Sequence, residues 1–97
     1  MKPGSTLASR ANAADALEEA TRLGLQWIAV SEEIKRARAK HPIWPKDILH
    51  AAAIISEEAG ELMRAAVQHR GEGGTLEACD KEAIQTAATC IRFLERK

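Results

Sequence analysis

Two breaks divide this chain into helical lengths and leave few other folds open to it. His41-Pro42-Ile43-Trp44-Pro45 carries two prolines, each biasing the residue before it away from the helical region. Gly71-Glu72-Gly73-Gly74 holds three glycines in four residues and reads as a loop. Before the first break, apolar or small residues recur three or four apart at Ala13, Leu17, Ala20, Gly24, Trp27, Ser31 and Ile34. A flanking row runs along Ala16, Leu23, Val30 and Ala37, and together they give one face of a helix. The spacing predicts a first helix from a cap at Ser9 or Asn12 to about Lys40. Asp47 is the expected cap of a second helix ending near His69, and Thr75 the cap of a third from about Leu76 to Leu94. The expected fold class is therefore all-α, with three main helices, the last two forming a helix-loop-helix hairpin. Residues 9–97 would make a single all-α domain, preceded by a flexible N-terminal segment of residues 1–8 that lacks periodicity.

With 97 residues, 45% of them hydrophobic but only three aromatic, the core is expected to be thin and rich in alanine, with Trp27 inside it. Small single domains of this kind need reinforcement. The third helix carries a broad apolar arc, Cys79, Ala83, Ile84, Ala87, Cys90, Ile91 and Leu94, wider than one partner helix requires. Completion of the bundle by oligomerisation, as a homodimer or homotetramer, is the expectation. Fourteen basic and fourteen acidic residues cancel, which argues against a nucleic-acid or membrane-surface partner. The sequence has neither a long apolar run nor a signal-like segment, so a cytoplasmic location is expected. Cys79 and Cys90 form no Cys-x-x-Cys and read as reduced, small hydrophobes.

The second helix holds an anomaly. On a wheel of about 100° per residue, Ile54, Ala65, Leu62, Ala51 and Ile55 share one arc, and Glu58 falls inside it. Glu61 sits at the rim of that arc and Glu57 further round towards solvent. A carboxylate within a core-facing stripe must be neutralised, hydrogen-bonded or bound to a cation, because an isolated buried charge costs several kcal/mol. Glu-x-x-Glu spacing presents Glu58 and Glu61 on one face, and Glu82 on the third helix can meet them across the hairpin. Carboxylate oxygens are the ligands that hard divalent cations such as magnesium prefer. A similar string, Ser31-Glu32-Glu33-Ile34, has Arg36 where a third acid would stand and reads as a surface charge pattern.

Ser56-Glu57-Glu58-Ala59-Gly60-Glu61-Leu62, followed after the glycine loop by Lys81-Glu82-Ala83-Ile84-Gln85, resembles the MazG-like all-α nucleoside triphosphate pyrophosphohydrolases, a superfamily related to the dimeric dUTPases. The resemblance covers about Trp44 to Leu94. It implies magnesium-dependent hydrolysis of a nucleoside triphosphate to monophosphate and pyrophosphate, a nucleotide-pool house-cleaning activity, with magnesium, or manganese in its place, as cofactor. Carried over by position, Glu58, Glu61 and Glu82 match metal ligands, and Glu57 with Glu58 the catalytic acids. Gln85 stands where the family pattern has Asp, so a neutral amide fills the fourth metal position. The Glu77-Ala78-Cys79-Asp80 string also spells Glu-x-x-Asp but reads as a decoy on another side of the helix. The substrate-binding candidates are Trp44, by stacking on a base, with Lys81 and Arg64. The basic run Lys35, Arg36, Arg38, Lys40 and His41 competes as a triphosphate clamp, alongside Arg70 and Arg92. The alternative implied by Gln85 is a catalytically weak or inactive MazG-like module for dimerisation or nucleotide binding.

Overall fold

The computed structural model describes residues 7–96. Three helices account for nearly all of them: α1 (Leu7–Lys40), α2 (Ile48–Gly71) and α3 (Leu76–Leu94), the all-α architecture expected. Both predicted caps hold. The His50 amide donates to Asp47 Oδ2 over 3.0 Å, and the Ala78 amide donates to Thr75 Oγ1 over 3.1 Å, each satisfying an otherwise orphaned first-turn donor. The start of α1 differs from expectation. It is already helical at Leu7, so Ser9 and Asn12 lie within the helix. The expected flexible segment, residues 1–8, otherwise lies outside the described residues.

The second break is a tight reversal built on glycine. Gly73 has φ +77°, a conformation that side chains with a Cβ rarely adopt. A Cβ on Gly74 would come within 3.0 Å of the Gln68 carbonyl carbon and the His69 nitrogen. The Glu72 and Gly74 amides both donate to the Gln68 carbonyl, at 2.8 and 3.0 Å, and His69 Nδ1 donates to the Gly74 carbonyl at 2.8 Å. These bonds close the last turn of α2 and send the chain back as α3.

α3 is the central element: α2 and α1 each pack on it, and the two outer helices do not pack on one another. Among the described residues, the buried apolar ones are Ile34, Ala51, Ala65 and Ala88. Only the C-terminal part of α1, from about Ala29 onward, is covered by the rest of the chain. At about 1.5 Å per residue, α1 is about 50 Å long. The radius of gyration is correspondingly 18.5 Å, against about 13 Å for a compact domain of this size. Trp27 therefore departs from the expectation that it is core: it is 54% exposed, because its stretch of α1 meets no other part of the described chain. Cys79 and Cys90 are free and half-buried.

Arg92 joins the first helix to the hairpin. Only 8% exposed, it donates from Nη2 to the His41 carbonyl at 2.6 Å and, over a longer 3.4 Å, from Nη1 to the Ala37 carbonyl. Its guanidinium lies 5.0 Å from the Trp44 ring centroid. A cation at the carbonyl end of a helix satisfies orphaned acceptors and complements the helix dipole, and stacking on indole adds to this. One side chain of α3 thus fixes both the end of α1 and the proline connector. Arg92→Met is expected to cost about 2 kcal/mol, the worth of hydrogen bonds to a charged donor, measured by urea unfolding. It should also shift Trp44 fluorescence to the red in a Trp27→Phe background.

Candidate metal centre

Local rules place the three acids. The Asp47 and Thr75 caps set the start of α2 and of α3, and the short glycine turn makes the helices antiparallel neighbours. Glu58 and Glu61, one turn apart on α2, then face Glu82 from α3. Glu58, Glu61 and Glu82 each offer an oxygen such that all three lie within 4.8 Å of one another. Glu58 and Glu82 are half-buried and Glu61 exposed, matching the wheel position of Glu58 among Ile54, Ile55 and Leu62. Glu58 Oε2 and Glu82 Oε2 are buried, and neither meets a hydrogen-bond donor.

Buried carboxylate oxygens without donors are costly, and that cost raises the proton affinity of both acids. Burial is the main cause of the raised Glu58 pKa, followed by the charges of Glu61, Glu82, Glu33 and Glu57. Glu82 is also raised, first by burial and then by Glu61, with Lys81 pulling the other way. Hard oxygen donors, close spacing and two orphaned oxygens form a donor set that fits a divalent cation such as magnesium.

Glu58 also opens onto a cleft of about 470 Å³ between the end of α1, the proline connector, α2 and α3. Glu57, Gln85 and Trp44 line it with Glu58. The indole nitrogen of Trp44 is buried without an acceptor. Gln85 is half-buried, one turn beyond Glu82 on α3. Thr86 and Thr89 turn their hydroxyls onto their own helix, donating to the carbonyls of Glu82 at 2.8 Å and Thr86 at 2.7 Å.

The basic candidates are sorted by position. Arg36, Lys40, His41 and Arg92 line the cleft. Lys81 lines a neighbouring hollow that also holds Glu77 and Asp80, and its charge still reaches Glu82. Arg64 is exposed and lines neither. Arg38 pairs with Glu95 instead.

Glu33 departs from the surface charge pattern expected of Ser31-Glu32-Glu33-Ile34. Its side chain is only 15% exposed, and it lines the cleft with Glu57 and Glu58. On the wheel of α1, Glu33, Arg36, Ala37 and Lys40 share an arc of roughly 100° that meets the flanking apolar row only at Ala37, so the apolar pattern does not mark Glu33. Compared with protein-family models, curated proteins and solved structures, the chain matches none.

The sign of the pH dependence follows from the raised acids. Below the ordinary carboxylate range, both folded and unfolded states hold the protons and Glu58 and Glu82 make no difference. Above it, the unfolded chain releases protons that the folded chain retains, so stability falls as pH rises until the folded pKa values are passed. In chelator, the melting temperature is expected to fall across this window by less in Glu58→Gln than in the unaltered protein. At neutral pH, Glu58→Gln should melt higher, as read by circular dichroism.

Proposed function

We propose that the protein is a magnesium-dependent nucleoside triphosphate pyrophosphohydrolase, converting a ribo- or deoxynucleoside triphosphate to its monophosphate and pyrophosphate. The observation that carries this reading is the convergence of Glu58, Glu61 and Glu82, with two buried, unpartnered carboxylate oxygens, beside a cleft that Glu58 itself lines. The resemblance of Glu57-Glu58-Ala59-Gly60-Glu61 and Glu82-Ala83-Ile84-Gln85 to the MazG-like pattern supports the same chemistry.

In this reading Glu58, Glu61 and Glu82 hold the ion, and the Gln85 carbonyl is a fourth, neutral oxygen donor. The ion supplies neutralisation of phosphate charge and acidification of the attacking water. Glu57, exposed at the cleft wall, orients that water and takes its proton as general base. Water adds across the anhydride between the α and β phosphates, and pyrophosphate leaves with the bridging oxygen. Trp44 offers an aromatic surface for a base, while Arg36 and Lys40 face the phosphates and Lys81 assists from the neighbouring hollow. Such an enzyme serves the cytoplasmic nucleotide pool. Gln85 favours the second reading, a MazG-like module that binds nucleotide or dimerises without efficient turnover. In that case magnesium still raises the melting temperature in proportion to its affinity, but no pyrophosphate appears.

The working form is proposed to be a homodimer or homotetramer. Leu17, Trp27 and Ile28 on α1 and Met63 and Val67 on α2 are all more than half exposed in the single chain, and apolar surface of this extent usually marks an interface. Sedimentation at micromolar concentration should report a dimer or tetramer; a monomer would rule the assembly out. For the activity, the full chain is incubated with magnesium and a panel of nucleoside triphosphates, and pyrophosphate is assayed. At least one nucleotide should be hydrolysed, with the rate falling at least a hundredfold in Glu58→Ala, on the order of what metal or electrostatic groups contribute. Absence of release from every nucleotide removes the enzyme, and unchanged release by Glu58→Ala removes this site.

A further inference from the structure

Beside the MazG-like pattern that the sequence resembles, the proposed centre has neutral Gln85 in place of an acid, and α1 brings an acid to the same cleft. Glu33, Glu57, Glu58 and Gln85 share its lining. The Glu33 side chain is 15% exposed, whereas that of its partner Arg36 is 57% exposed. Arg36 clasps it at both oxygens, with Nε donating to Oε2 at 2.8 Å and Nη2 to Oε1 at 2.6 Å. An ordinary i, i+3 surface pair keeps both partners in water and is worth little. Here the acid faces inward and only the base is solvated. Arg36 is a flexible, exposed side chain, so the pair can part without opening any core. Both residues also border the neighbouring hollow that reaches Lys81 and Gln85, which gives the released guanidinium a second place to go.

We propose that Glu33 is the fourth carboxylate of the cation centre, supplied by α1 in place of the charge Gln85 lacks, and that Arg36 holds its place until a metal-bound polyphosphate arrives. This inference rests on the magnesium reading of Glu58, Glu61 and Glu82. Glu33 lies outside that 4.8 Å group, so it acts through the water shell that magnesium characteristically keeps. Carboxylates in this outer position orient bound waters and raise affinity. On loading, Glu33 turns its charge to the cation and Arg36 turns its fork to phosphate oxygens, the bidentate geometry that guanidinium suits. Cation and phosphate binding are then coupled through one exchange of partners.

The test uses the full chain and manganese as a paramagnetic probe, with free ion counted by electron paramagnetic resonance, alone and with a non-hydrolysable nucleoside triphosphate. Glu33→Gln is expected to weaken manganese binding about tenfold or more, the usual effect of removing an outer-shell partner, with Glu33→Asp falling between. Arg36→Gln should bind the ion alone at least as tightly as the unaltered protein, yet lose affinity for the manganese–triphosphate complex. If the unaltered protein binds manganese, Glu58→Gln does not, and Glu33→Gln and Glu33→Asp both match the unaltered protein, the role of Glu33 is overturned while the centre stands. Looser binding of the bare ion by Arg36→Gln overturns the placeholder role. If the unaltered protein binds no manganese, the centre itself fails and this inference with it. Melting curves in chelator identify any variant that fails to fold.

Discussion

The close approach of α2 and α3 is what the acidic centre depends on, and alanine makes it possible. The residues that α2 buries are Ala51 and Ala65, whereas Ala88 of α3 lies with Arg92 on the side that lines the cleft towards α1. Methyl side chains let helix axes come to the near end of the usual 8–10 Å range, near enough for two carboxylates on one helix and one on the next to meet. Leucines at these positions would add buried area and separate the acids. No large side chain is fully buried among the described residues, which leaves the hairpin with little hydrophobic reserve to set against three acids whose charges repel. Burial and that repulsion raise the proton affinity of Glu58 and Glu82, and in the proposed function a cation offsets the same charges.

The helices and the hairpin were legible because they follow from local chemistry. Asp47 and Thr75 cap as their side chains require, the prolines and glycines interrupt where they must, and the apolar arc of α2 contains Glu58 as the wheel indicates. What the sequence hid is long-range. Nothing in the composition of α1 says that Trp27 lacks a covering surface while Ile34, two turns later, has one; that depends on where α3 lies against it. Glu33 was hidden for the same reason. Its neighbours Glu32, Lys35 and Arg36 give the local string the look of a solvated face, and only the docking of α1 on α3 shows which of those charges faces inward. The basic run split likewise: Arg36 and Lys40 turn to the cleft, while Arg38, two residues on from Arg36, reaches Glu95.

A net charge of zero conceals a strong local separation. Glu57 and Glu58 from α2 line one side of the cleft, while Arg36 and Lys40 from the last turns of α1 and Arg92 from α3 line another. These cations are not equivalent. Arg92 spends its charge on the carbonyl end of α1, and Arg36 is occupied by Glu33, whereas Lys40 makes no ion pair among the described residues. A ligand with both an anionic end and a bound cation would meet complementary charge on both walls, while a simple anion or a bare cation would meet only one. Selectivity for the combination follows from the arrangement without any excess charge on the molecule, and electrostatic complementarity of this kind serves specificity more than raw affinity.

The length of α1 links this cleft to whatever covers the rest of that helix. An isolated helix with one face unsupported is marginal in water, and Leu17, Trp27 and Ile28 leave that face bare over much of α1. Glu33 stands six residues beyond Trp27, about 9 Å along the same rod, with neither proline nor glycine between them. A partner that packs on Trp27 and Ile28 therefore sets the direction of the segment bearing Glu33 and Arg36. At its other end that segment is held by Arg92, through the carbonyls of Ala37 and His41. With both ends held, α1 presents Glu33 to the acids of α2 at a fixed distance. Without that partner the segment is held by Arg92 and by the packing of α1 on α3, with no support from α2. In the proposed function, assembly and cation binding are two loads on one helix, and each should strengthen the other.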